Sequence, residues 1–220
     1  TYQGLQQPEK ALQAYQQAYQ VAPCPEIRGN IAQALLLAGR YETGWPEYEW
    51  RMKVPSHRPI FEWYPPERHW QGQPFPGETL VVYHEQGLGD DLQFCRYLPY
   101  VKALGGKVIF STKKSLMPIM ASVYGVDQVV EHSPETFATL PFRWAVPLLS
   151  LPTLFQTTLH SIPNEVPYLS VPLAYQIKWQ NLLAPYLQRE CKKIAFVWAG
   201  NPENIQGALR SCPLSFWTDL

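Results

Sequence analysis

The sequence predicts an α/β protein, a Rossmann-like parallel sheet preceded by a short all-α segment. Two patterns carry that expectation. From residue 79 onward, short β-rich runs alternate with helical stretches, an order that implies parallel pairing and helices on both faces of a sheet. Before residue 53, apolar residues instead recur at spacings of three and four, the period of amphipathic helices. Composition allows a packed core, since 46% of residues are hydrophobic and 16% charged, which excludes a disordered chain.

Residues 1–52 are expected to be helical. Ala11, Leu12, Ala14, Tyr15, Ala18, Tyr19 and Val21 form one apolar stripe that ends near Pro23. Ile31, Ala34, Leu35 and Ala38 form a second that stops at Gly39, and a further helix carries Trp45, Tyr48 and Trp50. Ala11, Leu12 and Tyr15 align with Gly44, Trp45 and Tyr48 at an offset of 33, close to the roughly 34-residue tetratricopeptide period, and Pro23 sits where such repeats end. One and a half repeats, or a plain helical hairpin, both fit. An array this short must lean on something else, because each repeat buries its apolar face only against neighbours.

Residues 53–78 are rich in Pro and aromatics and show neither period, so they are expected to form an ordered connector. Phe61, Trp63, Tyr64 and Trp70 should glue it across a domain surface. The α/β domain is expected over 79–190, with strands at 79–84, 107–111, 128–131 and 144–148 and helices near 90–104, 115–124, 151–159 and 174–189. Gly105 and Gly106 should end the first of those helices. A further strand at 193–198 is expected to open a second domain over 191–220, incomplete in this chain because a lone strand cannot bury its faces.

The stretch from His84 to Gln93, HEQGLGDDLQ, is the most informative for chemistry. It falls between the first strand and the helix after it, and in a doubly wound sheet that turn lies where ligands bind. Gly87 and Gly89 suit a sharp turn and close backbone approach to a ligand, and free N–H groups at the helix start favour an anion. Asp90 is also a good helix N-cap, and G-x-G lacks the third glycine of the dinucleotide fingerprint. Among the histidines only His84 stands near the turn, as a possible cleft residue, and none is spaced for a metal.

Several separated runs together resemble the glycosyltransferase region of bacterial tetratricopeptide proteins related to the heptosyltransferase superfamily. They are GWPEYEWR, HWQGQPFPGETLVVYH, EQGLGDDLQFCRYLP, VYGVDQVVE, VPLLSLPTLFQTTLHSIPNEVPYL, FVWAGNP and RSCPLSFW, in that order from Gly44 to near the end. The resemblance implies the N-terminal half of a GT-B architecture, with acceptor held mainly by the first Rossmann-like domain and nucleotide sugar by the second. It implies that Asp90, following Gly89, acts as general base on an acceptor hydroxyl, with inversion at the anomeric carbon. Gly200, Asn201, Arg210 and Ser211 match the place where the family holds donor phosphates, and an Arg fork with a hydroxyl suits a departing diphosphate. Gln93, one turn beyond Asp90, could bond a sugar hydroxyl, although an ordinary exposed helix position describes it equally well. Asp91 departs from the small hydroxyl residue expected there and is read as facing solvent from the first helical turn.

The implied partners are a nucleotide-sugar donor as co-substrate, a hydroxyl acceptor on a glycan, lipid-linked sugar or protein, and a protein recruited through the helices. No cofactor is expected, and the absence of a D-x-D agrees with metal-independent transfer. Without a complete second domain the 220-residue chain is expected to be inactive. Eighteen basic residues balance eighteen acidic ones, so no net field draws the chain to nucleic acid. Cys24, Cys95, Cys191 and Cys212 are scattered and read as reduced structural thiols in a cytoplasmic protein. No signal-like start and no apolar run near the roughly 20 residues of a membrane span is found. A binding scaffold with a non-catalytic α/β domain is the rival reading. A nicotinamide-dependent oxidoreductase is disfavoured by the missing glycine and the absence of an acidic ribose partner after the second strand.

Overall fold

The structure, a computed structural model, describes residues 7–56, 61, 63–188, 192–197, 200 and 211–217. The chain divides into two units, Thr1–Pro172 and Leu173–Leu220.

The first unit opens with α1 (Pro8–Val21), α2 (Pro25–Leu37) and α3 (Tyr41–Tyr48), the last running into a 3-10 turn over Glu49–Lys53. Proline begins α1 and α2 at the one place where a helix loses no hydrogen bond to it. The predicted stripes meet: Ala11 and Leu12 pack on Ile31, Ala34 and Leu35. Between α2 and α3 the backbones come so close that a Cβ on Gly44 would lie 2.8 Å from Leu36 Cδ2. The segment does lean on the sheet domain, where the Trp45 and Phe94 rings pack edge-on at 5.8 Å and Thr153 Oγ1 donates to the Trp45 carbonyl at 3.0 Å.

Among the described residues, β1 (Thr79–Tyr83), β2 (Lys107–Thr112), β3 (Gln128–Glu131) and β4 (Trp144–Pro147) form an all-parallel sheet in the order β3-β2-β1-β4. This is compatible with a Rossmann-like α/β fold, with the strand order reversing at β1. Alternation sorts the side chains. Leu80, Val82, Val108 and Phe110 join the core under α5 (Leu98–Ala103), while Val81, Tyr83 and Ile109 face the other way. On that second face Tyr64 lies flat on Tyr83 at 3.8 Å, with Phe137 against it. The connector is thus fixed to the sheet, and Trp70, 2% exposed, extends the attachment by donating its backbone N–H to the Ala145 carbonyl.

Several helices are shorter than the pattern suggests. The stretch after β1 is α4 (Leu88–Phe94), a 3-10 turn and then α5, because Pro99 cannot supply the N–H that would tie it to the Cys95 carbonyl. Gly105 and Gly106 follow α5 with φ of 96° and 75°, a helix stop as expected. The next helix shrinks to α6 (Met117–Met120), and the one after β4 to α8 (Leu151–Leu154), each with Pro in its first turn. An additional helix, α7 (Pro134–Thr139), joins β3 to β4, capped by Ser133 Oγ accepting from the Thr136 N–H at 3.2 Å.

In the second unit, α9 (Leu173–Leu187) stands near the predicted bounds; the expected end at Arg189 lies outside the described residues. The predicted strand is not formed. Residues 192–197 carry no regular structure, and the β-rich composition of that run finds no neighbouring strand among the described residues. Trp198 lies outside them. The Phe196 and Trp217 rings pack at 4.8 Å. No helix among the described residues is long and apolar enough to cross a membrane.

Candidate active site

The carboxyl end of β1 carries His84, Glu85, Asp90 and Asp91 within eight residues of one another. Past Tyr83 the ladder continues one residue, with the His84 N–H on the Ser111 carbonyl at 2.8 Å. The chain then leaves the sheet and α4 starts at Leu88 with Gly87 as its N-cap. Asp90 is therefore not the N-cap but the third helical residue. Its Oδ2 reaches back to the Gly87 N–H at 2.8 Å, closing the first turn.

The turn does not need its glycines for backbone conformation. Gly87 is extended (φ −87°) and Gly89 is not among the residues with positive φ. Gly89 is exposed, with open space where a Cβ would be, while a Cβ on Gly87 would sit 3.1 Å from Asp90 Oδ2.

Asp91 does not face solvent. It is 0% exposed, its Oδ1 is 2.8 Å from His84 Nδ1, and its Oδ2 accepts from the Thr112 hydroxyl. The residue points inward because α4 lies against the sheet with Asp91 on the covered side. Two hydrogen bonds satisfy the carboxylate where water cannot. His84, 3% exposed, is thus held by its Nδ1 and lines none of the described clefts. Its ring meets that of His132 at 5.5 Å. Burial, aided by His84 and Lys113, pushes His132 down to about 4, and its Nδ1 lies 3.0 Å from Ser111 Oγ. Burial and the Asp91 charge push the Cys95 thiol up to about 12, so it stays protonated and unreactive.

Where the strand order reverses, between β1 and β4, the crevice is filled by the protein itself. Arg51 Nε and Nη2 bond both oxygens of Glu85, at 2.7 and 2.9 Å. Arg51 also reaches Ser150 Oγ, Glu49 Oε1 and the Tyr48 carbonyl, and Glu85 Oε1 takes the Leu149 N–H at 2.9 Å. Burial opposes the Arg51 charge, but Glu85 and Glu49 outweigh it and hold the guanidinium's pKa above its ordinary value.

Beside this pair opens a cleft of about 540 Å³ between α2 and the turn after β1. Tyr48 and Gln86 stand at its edge, the Gln86 amide donating to the Tyr48 hydroxyl at 2.6 Å. Burial, with the charges of Glu85 and Asp90, raises the Tyr48 phenol's pKa against the opposing pull of Arg51 and the Gln86 bond. Asp90 is half-buried and close enough to be felt at that phenol, although it does not itself line the cleft. Its Oδ1 makes no hydrogen bond among the described residues.

The structure brings His84, Gly87, Gly89 and Asp90 to one strand end. Gln93 lies on the exposed side of α4, where its carbonyl accepts from Arg96 Nε. Of the donor-phosphate candidates, Asn201 and Arg210 lie outside the described residues, and Gly200 and Ser211, both exposed, belong to the second unit. Sequence reasoning passed over Arg51, Glu85, Thr112 and Ser150. An Arg beside the aromatics of YEWR and a Glu just past the apolar run VVY were the available signal.

Comparison with known proteins adds little chemistry. No family model matches the sequence, and no solved structure matches it. Protein FlbA of Caulobacter vibrioides is 28% identical over 203 residues, a match covering 84% of this chain and 33% of FlbA. The chain therefore spans about a third of the length of the curated relative it matches, and is similar to it over most of its own length.

Proposed function

We propose that the chain is part of a glycosyltransferase that moves a sugar from a nucleotide donor to a hydroxyl acceptor, inverting and without a metal, with Asp90 as general base. The observation that supports this reading is the unequal treatment of two adjacent carboxylates. Asp91 is sealed against His84 and Thr112, whereas half-buried Asp90 keeps one oxygen without a hydrogen bond among the described residues, at the carboxyl edge of a parallel sheet and beside a cleft. That is the position at which such sheets bind ligands. There Asp90 Oδ1 would take the proton of an acceptor hydroxyl as its oxygen attacks the anomeric carbon, and the nucleoside diphosphate would leave from the opposite face. The Gly87 N–H on Oδ2 fixes the carboxylate's rotamer without consuming the second oxygen.

The test is release of nucleoside diphosphate by the natural protein against a panel of nucleotide sugars and acceptors. Asp90→Asn is expected to lower kcat about 100-fold or more while the donor KM changes little. An unchanged rate would remove Asp90 from the chemistry.

One observation favours a second reading, a non-catalytic scaffold. The crevice at the strand reversal, where a ligand would ordinarily sit, holds the Arg51–Glu85 pair. A scaffold tolerates Asp90→Asn without functional loss, so the same variant separates the two.

A further inference from the structure

Gly29 sits in the interior of α2, where glycine costs about 0.5–1 kcal/mol relative to alanine. The fold does not ask for it. Its φ is not positive, and a Cβ built there meets nothing within 4 Å, unlike Gly44, where Leu36 would be struck. What the missing side chain does is keep open the cleft of about 540 Å³ that Gly29 lines. That volume is within the roughly 300–1,000 Å³ of small-molecule sites.

We propose that this cleft binds a neutral carbohydrate. Asn30 and Gln33 line the cleft from α2 together with Gly29, and Gln86 and Tyr48, hydrogen-bonded to each other, line it as well. Carboxamides and a phenol offer donors and acceptors together, which is what vicinal sugar hydroxyls require. The charges argue against an anion. Arg51, the cation among the described lining residues, is engaged by Glu85, Glu49 and Ser150, while Glu26 and Glu85 line the same cleft and Asp90 stands near its edge. A phosphorylated ligand would meet repulsion with no guanidinium or ammonium released to offset it. A peptide is disfavoured because Val54 is the one aliphatic side chain among those lining residues, and peptide recognition uses apolar pockets for specificity. Taken as the acceptor site of the proposed transferase, the cleft rests on that reading; as a sugar site it is measured without it.

Saturation-transfer NMR on the 220-residue chain tests it, with the methyl pyranosides of glucose, galactose, mannose and N-acetylglucosamine as probes. Their 1-phosphates and a Ser/Thr-rich hexapeptide form the other arms. Saturation of at least one neutral glycoside is expected, weakened at least tenfold by Gly29→Leu, whose thermal midpoint should equal or exceed the parent's. Should Gly29→Leu not fold, Asn30→Ala combined with Gln33→Ala decides instead, with the same loss expected. Absence of glycoside binding, tighter binding of the phosphates, binding of the peptide alone, or undiminished binding by a folded variant each overturns the proposal. Glycoside binding by this chain, with no transfer by the full-length natural protein, would end the transferase reading and leave this site standing; transfer by the natural protein with no glycoside in this cleft does the reverse.

Discussion

Asp90 and Asp91 are chain neighbours that differ in what removing each carboxylate leaves behind. Asp91→Ala strands the His84 ring nitrogen and the Thr112 hydroxyl in a water-free site, a loss of about 3 kcal/mol by the cost of unmade buried hydrogen bonds. Asp90→Ala removes one half-exposed capping bond, worth about 1 kcal/mol. Urea denaturation of the two variants should therefore separate them clearly, and equal losses would contradict the inward placement of Asp91. The neighbouring His132 makes stability depend on pH. Its pKa falls from 6.5 to about 4 on folding, so above pH 6.5 both states are neutral and nothing changes. Between 6.5 and about 4 the unfolded chain takes a proton that the folded ring refuses, and stability falls as pH falls through that window. Burial drives the shift, and the ring is walled by Trp63, Tyr83, Phe137, His84 and Ser111, with Lys113 contributing like charge. Denaturation midpoints of His132→Phe across pH 4 to 7 should show a flatter slope than the parent.

At the scale of elements, the strands were legible because TLVVY, KVIFS and WAV are runs with no competing period, and the parallel order followed from what lies between them. The helices were misjudged where the backbone breaks the apolar pattern: Pro99 divides the expected 90–104 helix, and the helix after β4 stops at Leu154, just before Gln156 turns to a positive φ of 48°. α7 was readable from Ser133-Pro134-Glu135, a cap, a first-turn proline and an acidic residue, but its few apolar residues gave no stripe. The lost strand near residue 193 teaches the converse, that a β-rich run is a strand only if a partner edge exists. Glycines divide in the same way between those that the fold requires and those that it tolerates. Gly106, at φ 75°, has the Phe75 and Glu78 carbonyl oxygens where a Cβ would go, Glu78 O at 2.5 Å. Gly106→Ala must both hold a left-handed backbone and push two carbonyls aside, a cost of about 3 kcal/mol. Thermal unfolding should show that loss for Gly106→Ala and no loss for Gly29→Ala.

Across the first unit, the helical segment and the sheet are joined by a charge pair that neither half could bury alone. Arg51 comes from the turn after α3, Glu85 from the end of β1 and Ser150 from the end of β4, so the network forms only when all three elements are in place. Periodicity could locate the helices and alternation the strands, but no local pattern reveals that residues 34 positions apart in sequence will share a salt bridge in the crevice where a ligand was expected. The physical consequence is testable. Removing one member leaves the other charged and unpaired at 1% side-chain exposure, so Arg51→Met should destabilise the protein by about 3–5 kcal/mol. Adding Glu85→Gln cancels the stranded charge and keeps a carbonyl oxygen for the Leu149 N–H, so the double variant should recover part of that loss. Because the pair couples the segment to the sheet, far-ultraviolet circular dichroism and near-ultraviolet signals from this aromatic-rich unit should unfold together in the parent. Arg51→Met should pull the two curves apart, the helices melting first. Coincident curves in the variant would mean that the Trp45–Phe94 and Thr153–Trp45 contacts suffice to hold the segment without the charge pair.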